Sequence, residues 1–284
     1  MTSTLPQAPE NTPSVDRLPN PRSRHDRFRF TKFTEATDSV MVKLAREIHA
    51  VGYQDMGFVN SSAVTSEGFL ADDIDKAHGP NVDYYVAESP DDDEVKATLR
   101  KIHIPEGGSL QDLPAFNLTI GSLSDSGFNL IAGIDNPEVN VKEIAALART
   151  PEASPMIIFE LLRNVLHESL GKDEVWFFSI VSTTYQSLVD NFGNEAIYQI
   201  GEPITFDDTR ISNEVTLVPA LVNTDTFINT LCRTALDETD PDQQQRLLRS
   251  FMFFTDGLDD SQMNVEASSV RSSINSMLAL KKGA

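Results

Sequence analysis

The stretch "EVNVKEIAALARTPEASPMIIFELLRNVLHESLG" (138–171) decides the fold. Its first part, "EVNVKEIAALART" (138–150), reads as a strand. In the second part Met156, Phe159, Leu162, Val165, Leu166 and Leu170 fall on one side of a helix, and Gly171 ends it. The run that follows, "EVWFFSIVS" (174–182), is short, apolar and β-rich, as a buried strand requires. "TTYQSLVDN" (183–191) is a short helix capped by Thr183 or Thr184. In "NFGNEAIYQIGEPI" (191–204), Gly193 suits a left-handed helix end, and Ala196, Tyr198 and Ile200 alternate as a third strand. Gly201 and Pro203 stop that strand. Residues 138–203 thus read strand, helix, strand, helix, strand.

Working outward, "DYYVAES" (83–89) and "KATLRKIHI" (96–104) read as strands joined by the acidic tip "PDDDE" (90–94). "NLTIGSL" (117–123) and "FNLIAGI" (128–134) are expected as irregular strands. Ahead of them, "DSVMVKLAREIHAVGY" (38–53) spaces Val40, Leu44 and Ile48 for a helix, with Asp38 or Ser39 as N-cap and Gly52 as stop. "EVTLVPALV" (214–222) adds a last strand, and 225–238 and 241–258 are two amphipathic helices. This order predicts a mixed α/β (α+β) sheet with antiparallel and parallel parts. The expected organisation is a disordered tail over 1–27, one domain over 28–222, a helical extension over 223–260 and a flexible tail over 261–284. Residues 1–27 hold five prolines and little that could pack.

The chain carries 23 Lys and Arg against 43 Asp and Glu, a formal charge of -20. Such a chain repels nucleic acid and anionic membranes on average, so neither is expected as a partner. No apolar run reaches the roughly 20 residues that span a bilayer. One cysteine, Cys232, rules out an internal disulfide and suits a reducing cytoplasm. Arg22, Arg24, Arg27 and Arg29 crowd one short segment, which reads as a solvated entry to the domain. His49, His78, His103 and His167 are scattered, with no Ser-His-Asp or Cys-His pattern to support covalent catalysis. Asp72 and Asp75 lack companions at metal-ligand spacing, so no metal is expected.

Five local features, in order, resemble the GNAT N-acyltransferase superfamily. Within it they are most similar to acyl-homoserine-lactone (autoinducer) synthases and N-acyl amino acid synthases. Arg46 lies on the first helix ahead of Gly52-Tyr53. "DDID" (72–75) places Asp72 and Asp75 in the family's D-x-x-D position, followed by Tyr84-Tyr85. "LRKIHIPEGGSLQDLPAF" (99–116) matches an arginine-ended strand, a loop and a Leu/Phe-Pro element. "VKEIAALA" (141–148) places Glu143 at the family's strand glutamate, and "FGNEAIYQIGEPI" (192–204) matches its closing Gly-strand-Ile-Gly-x-Pro unit.

The resemblance covers about residues 40–222. It implies a mostly antiparallel sheet with splayed central strands flanked by helices, plus the C-terminal helices. It also implies transfer of an acyl group from acyl-coenzyme A or an acyl-carrier protein to a small amine such as an amino acid. Glu143 is then the catalytic base. Arg46, Asp72, Asp75 and Arg100 shape the acceptor site, while Leu147, Ala148, Arg149 and Ser154 hold the donor. Strand N–H groups at Leu147 and Ala148 would serve the oxyanion, and Tyr198 would close the acyl side of a strand lying beside 174–182.

Three departures are informative. Ala146 stands where homoserine-lactone synthases have an arginine, which weakens the case for S-adenosylmethionine as acceptor. The phosphate loop "RTPEAS" (149–154) keeps Arg149 but has Glu152 and Ser154 in place of glycines. Val189 stands where many acetyltransferases have a general-acid tyrosine. An alternative reading is therefore open: a catalytically inert GNAT-like module that binds an acyl thioester or a protein. The bland readings are also open, with Glu143 a solvated strand residue, Arg100 a surface partner of 91–94, and Trp176, Phe177 and Phe178 simple core.

Overall fold

The computed structural model describes residues 28–70, 79–90, 93–206 and 215–282. The strands are β1 (Arg29–Phe33), β2 (Val82–Glu88), β3 (Val95–His103), β4 (Val141–Arg149), β5 (Val175–Val181), β6 (Tyr198–Gln199), β7 (Ile204–Phe206) and β8 (Val215–Asn223). The helices are α1 (Ser39–Asp55), α2 (Pro114–Thr119), α3 (Asp125–Ala132), α4 (Pro137–Asn140), α5 (Met156–Ser169), α6 (Ser182–Phe192), α7 (Thr224–Asp237), α8 (Pro241–Thr255) and α9 (Val265–Lys282). None of the described helices is long and apolar enough to cross a membrane.

The strands form one open sheet in the order β1-β2-β3-β4-β5-β8-β6, with β7 also on β8. Every pairing is antiparallel except β4 with β5. The element order predicts a mixed sheet, and the family resemblance implies the mostly antiparallel one observed. One parallel pair needs one crossover, and α5 supplies it between β4 and β5.

The chain divides into two compact units: residues 28–185 with 198–225, and residues 186–197 with 226–282. In the first unit, one sheet face carries Phe33, Tyr84, Ile102, Val141, Phe177 and Leu221 into a core with Val42, Ala45 and Ile48 of α1 and with Leu113, Phe116 and Ile131. Asp38 caps α1 by accepting from the N–H groups of Val40 and Met41. The buried side of α1 is Val42, Ala45, Ile48, His49 and Gly52; the expected Val40 is exposed. Gly52 is where α1 crosses β4, since a Cβ there would stand 2.8 Å from the Arg149 carbonyl oxygen. On α5 the buried row is Ile157, Leu161, Leu162, Val165 and Leu166, so the helix is rotated from the expected face and Met156 is exposed.

Three expectations are corrected. Residues 117–134 hold helices rather than irregular strands: Pro114 starts α2, and Ser124 caps α3 by accepting from the Gly127 N–H at 3.0 Å. The strand expected near Tyr198 is only two residues long and pairs with β8, not β5. Ala196, Ile197 and Ile200 are buried while Tyr198 is 39% exposed. The end of the chain, read as loose, contains α9, whose buried Ala267, Val270, Ile274 and Leu278 follow helical spacing beneath a Ser-rich composition.

In the second unit, Phe192, Phe227 and Phe254 meet edge to face at 5.3–5.6 Å. Arg271 of α9 donates to the Thr255 and Leu258 carbonyls at the end of α8. In the first unit, the opposite sheet face buries an ion pair. Lys101 Nζ lies 2.9 Å from Glu174 Oε2 and 3.3 Å from Ser169 Oγ, and Trp176 Nε1 donates to the same carboxylate. Breaking such a pair strands a buried charge, which costs about 3–5 kcal/mol. Lys101→Met is expected to lose about that much stability in urea unfolding, and Lys101→Met with Glu174→Gln to recover most of it. A loss under about 1 kcal/mol in the single variant would contradict this.

Candidate active site

The site is built on a defect in β4. Thr98 of β3 pairs with Ala148 and Arg100 pairs with Ala145, so two residues of β4, Ala146 and Leu147, oppose Leu99 alone. This is a β-bulge, and the extra residue bends and twists the strand. Ala146 takes φ +51, a left-handed conformation that costs an L-residue about 1–2 kcal/mol. On its other side β4 pairs with β5 only over Val141, Lys142 and Glu143, opposite Val175, Trp176 and Phe177. Both strands continue, β4 to Arg149 and β5 to Val181, but the pairing does not. The β5-facing edge of β4 beyond Glu143 therefore has no strand partner among the described residues.

Glu143 stands on the last paired rung. It is 2% exposed, which excludes a solvated strand residue. Its Oε2 accepts the Ala115 N–H at 2.8 Å. That N–H belongs to the first turn of α2 and has no intrahelical acceptor, so it is available to a carboxylate. Thr119 Oγ1 donates to the Ala115 carbonyl at 2.8 Å and stiffens the turn. Phe116 packs edge to face on Phe177, the β5 partner of Glu143, with ring centroids 5.4 Å apart. Burial pushes the Glu143 carboxyl up to about 7, against the opposing pull of the Ala115 N–H and the Arg100 charge. A carboxyl in that range is half ionised near neutrality, as a general base should be.

Arg100 is buried on the same sheet face, one rung along β3, and is not a surface partner of the acidic tip. Arg46 of α1 lies with its guanidinium 4.5 Å from the Phe69 ring centroid. Both arginines act on His49, also on α1. Burial first, then the Arg100 and Arg46 charges, hold its imidazole well below 6.5, so it is neutral. His49 also meets the Tyr53 ring edge to face at 4.2 Å. Arg100 thus acts on Glu143 and, with Arg46, on His49. Asp72 and Asp75 lie outside the described residues.

Of the residues expected to hold a donor, Ala148 is buried at the end of the bulge and Leu147 is half-buried within it. Arg149 is turned onto its own loop: Nη1 donates to the carbonyls of Thr150, Pro151 and Ala153 at 2.8–3.0 Å. Ser154 Oγ accepts the Met156 N–H at 3.3 Å where α5 begins. Among the described residues no group of three or more His, Cys, Asp and Glu is placed to hold a metal.

No motif in the sequence marks Ala115, Phe116 or His49 for this site. Ala115 acts through its backbone, which no side-chain motif reveals. The one legible signal for His49 was its i, i+3 spacing from Arg46.

No protein-family model matches the sequence, and no significant match is found among curated proteins. Solved structures with a similar fold do exist. One is FeeM, an N-acyl amino acid synthase from uncultured soil microbes, with TM-score 0.48 and 14% identity over 72% of this chain and 95% of that one. Another is BjaI, a CoA-dependent acyl-homoserine lactone synthase solved with SAM and isopentyl-CoA, with TM-score 0.49 and 12% identity over 78% and 98%. The AHL synthase LasI gives TM-score 0.44 and 15% identity over 69% and 89%.

The raised Glu143 carboxyl has a stability consequence with a definite sign. The unfolded chain releases this proton near 4.5 and the folded chain near 7, so folding grows less favourable as pH rises through that window. Glu143→Gln keeps an acceptor for Ala115 and removes the charge. The variant is expected to match the parent below pH 4.5 and to exceed it by on the order of 3 kcal/mol above pH 7, read by urea unfolding at each pH. Equal stability at high pH would contradict a buried, raised carboxyl. Ala146→Gly is expected to gain up to about 1 kcal/mol in the same measurement, and Ala146→Val to lose at least as much.

Proposed function

We propose that this chain is an N-acyltransferase that moves an acyl group from a thioester to the amine of a small acceptor such as an amino acid. The observation that carries the reading is a buried, near-neutral carboxyl on the rung where two neighbouring strands part. Acyl transfer to an amine needs a base beside the amine, donors for the oxyanion, and a place for the thioester arm. Glu143 meets the first need, through its Oε1 or through a water. N–H groups of the bulge at Leu147 and Ala148 meet the second. The unpartnered edge of β4 meets the third, because an amide-rich pantetheine arm can add to it as a strand would.

In the proposed step the amine nitrogen attacks the thioester carbonyl. Its proton passes to Glu143 as the C–N bond forms, the tetrahedral intermediate collapses, and the C–S bond breaks. The thiolate leaves and is reprotonated, giving an amide and a free thiol. Arg100 and Arg46 shape the acceptor pocket in this reading. Arg149 fixes the 150–153 loop, and Ser154 and the start of α5 face the donor's phosphate end. A charge of -20 repels an acidic carrier protein more than it does a small donor, which favours acyl-coenzyme A over acyl-carrier protein.

One observation favours the alternative of an inert thioester-binding module: the Arg149 guanidinium is spent on its own loop, beside Glu152 where a glycine would ease phosphate approach. A single assay separates the two. With octanoyl-coenzyme A and a panel of L-amino acids, amine-dependent thiol release is expected. Glu143→Gln should lower kcat by about 10²–10⁴. The acid limb of kcat/KM should have its midpoint near 7. Donor binding with no thiol release from any amine would favour the inert module.

A further inference from the structure

We propose that Phe116 is a positioning residue for Glu143: its ring closes the gap between β4 and β5 beside the last paired rung and shields the base from water. The inference rests on Glu143 being the base, and it assigns control of that base to a side chain outside the sheet. Three contacts carry it. Glu143 and Phe177 are strand partners and so lie side by side on one sheet face. The Phe116 ring, itself buried, stands on Phe177 at 5.4 Å. The residue before it, Ala115, gives its N–H to Glu143 at 2.8 Å. One turn of chain thus acts on the carboxyl twice. The Ala115 N–H favours the charged form, and the Phe116 ring disfavours it by excluding solvent.

The other groups facing Glu143 do not supply the upward push. From β3 it meets the Arg100 charge, which favours ionisation. From α1, which packs across β3 and β4, His49 is neutral and Arg46 is cationic. On the same rung β5 presents Phe177, which is apolar. The upward push therefore comes from apolar cover, and Phe116 is a part of that cover supplied from outside the sheet, next to the residue that bonds the carboxylate. Its removal leaves a void beside a carboxylate and a backbone N–H, polar enough to hold a water.

The test reads protonation directly. Protein is labelled with ¹³C at the glutamate carboxyls and titrated by NMR, with the Glu143 signal assigned by its absence in Glu143→Gln. The parent midpoint is expected near 7. In Phe116→Ala it should fall by about one unit or more towards the ordinary carboxylate range, with Phe116→Thr moving the same way by less. Ala115→Pro removes the N–H donor within the first turn, where no intrahelical hydrogen bond is lost, and should move the midpoint upward. The acid limb of kcat/KM should follow each shift. A midpoint unchanged or raised in whichever Phe116 variant folds would overturn the proposal. The titration does not depend on turnover, so absent thiol release would count against the acyltransferase reading alone.

Discussion

The structure turns on one extra residue in β4. A strand can hold two neighbours only while its backbone stays in register with both, and the bulge at Ala146 and Leu147 ends that condition. The β3 ladder absorbs the insertion and resumes at Ala148. The β5 ladder stops at Glu143 and does not resume. An edge in the middle of a sheet is normally a liability, because unpaired backbone groups invite another strand. Under the proposed function the same property is the binding mode, with the donor's arm as the strand the edge lacks. An alanine held at positive φ is what such a bend costs, since glycine would take the conformation freely.

The same geometry explains the chemistry of Glu143. A carboxylate deep in a fully paired sheet would be expelled or neutralised permanently. At the last paired rung it is buried by Phe177 and the α2 turn yet adjoins the opened edge. Opposing influences, apolar cover against one N–H and one guanidinium, leave its carboxyl near neutrality. The other sheet face is treated differently. There Lys101, Glu174, Ser169 and Trp176 satisfy one another, so the polar groups are closed and structural. One sheet carries two buried polar sites, and the one with a raised carboxyl beside an open edge is suited to chemistry.

Much of this was legible in the sequence, for identifiable reasons. The strand, helix and strand within 141–181 are long and strongly patterned and lie where expected, but 138–140, read as the start of the strand, belong to the short helix α4. Glu143 could be picked out by its position in a family-like strand, and Arg100 by the family-like motif at 99–116, although it lies within β3 rather than at a strand end. The bulge was not legible, because "AALA" carries no glycine to announce a positive φ. The helices α2 and α3 were misread as strands because their apolar content outweighed the caps at Pro114 and Ser124. The α5 face was misplaced because Ile157 and Leu161 sit among apolar neighbours on every side. The Ala115 hydrogen bond could not be foreseen, since any non-proline residue supplies an N–H.

Amide hydrogen exchange along β4, with and without octanoyl-coenzyme A, tests the central claim most directly. The account predicts that Val141–Glu143 is well protected in the free protein, that the 144–148 segment takes up deuterium faster, and that donor binding slows it. Protection of 144–148 equal to that of Val141–Glu143 in the free protein, with no change on adding donor, would mean that β4 is paired along its whole length and that no edge awaits a substrate.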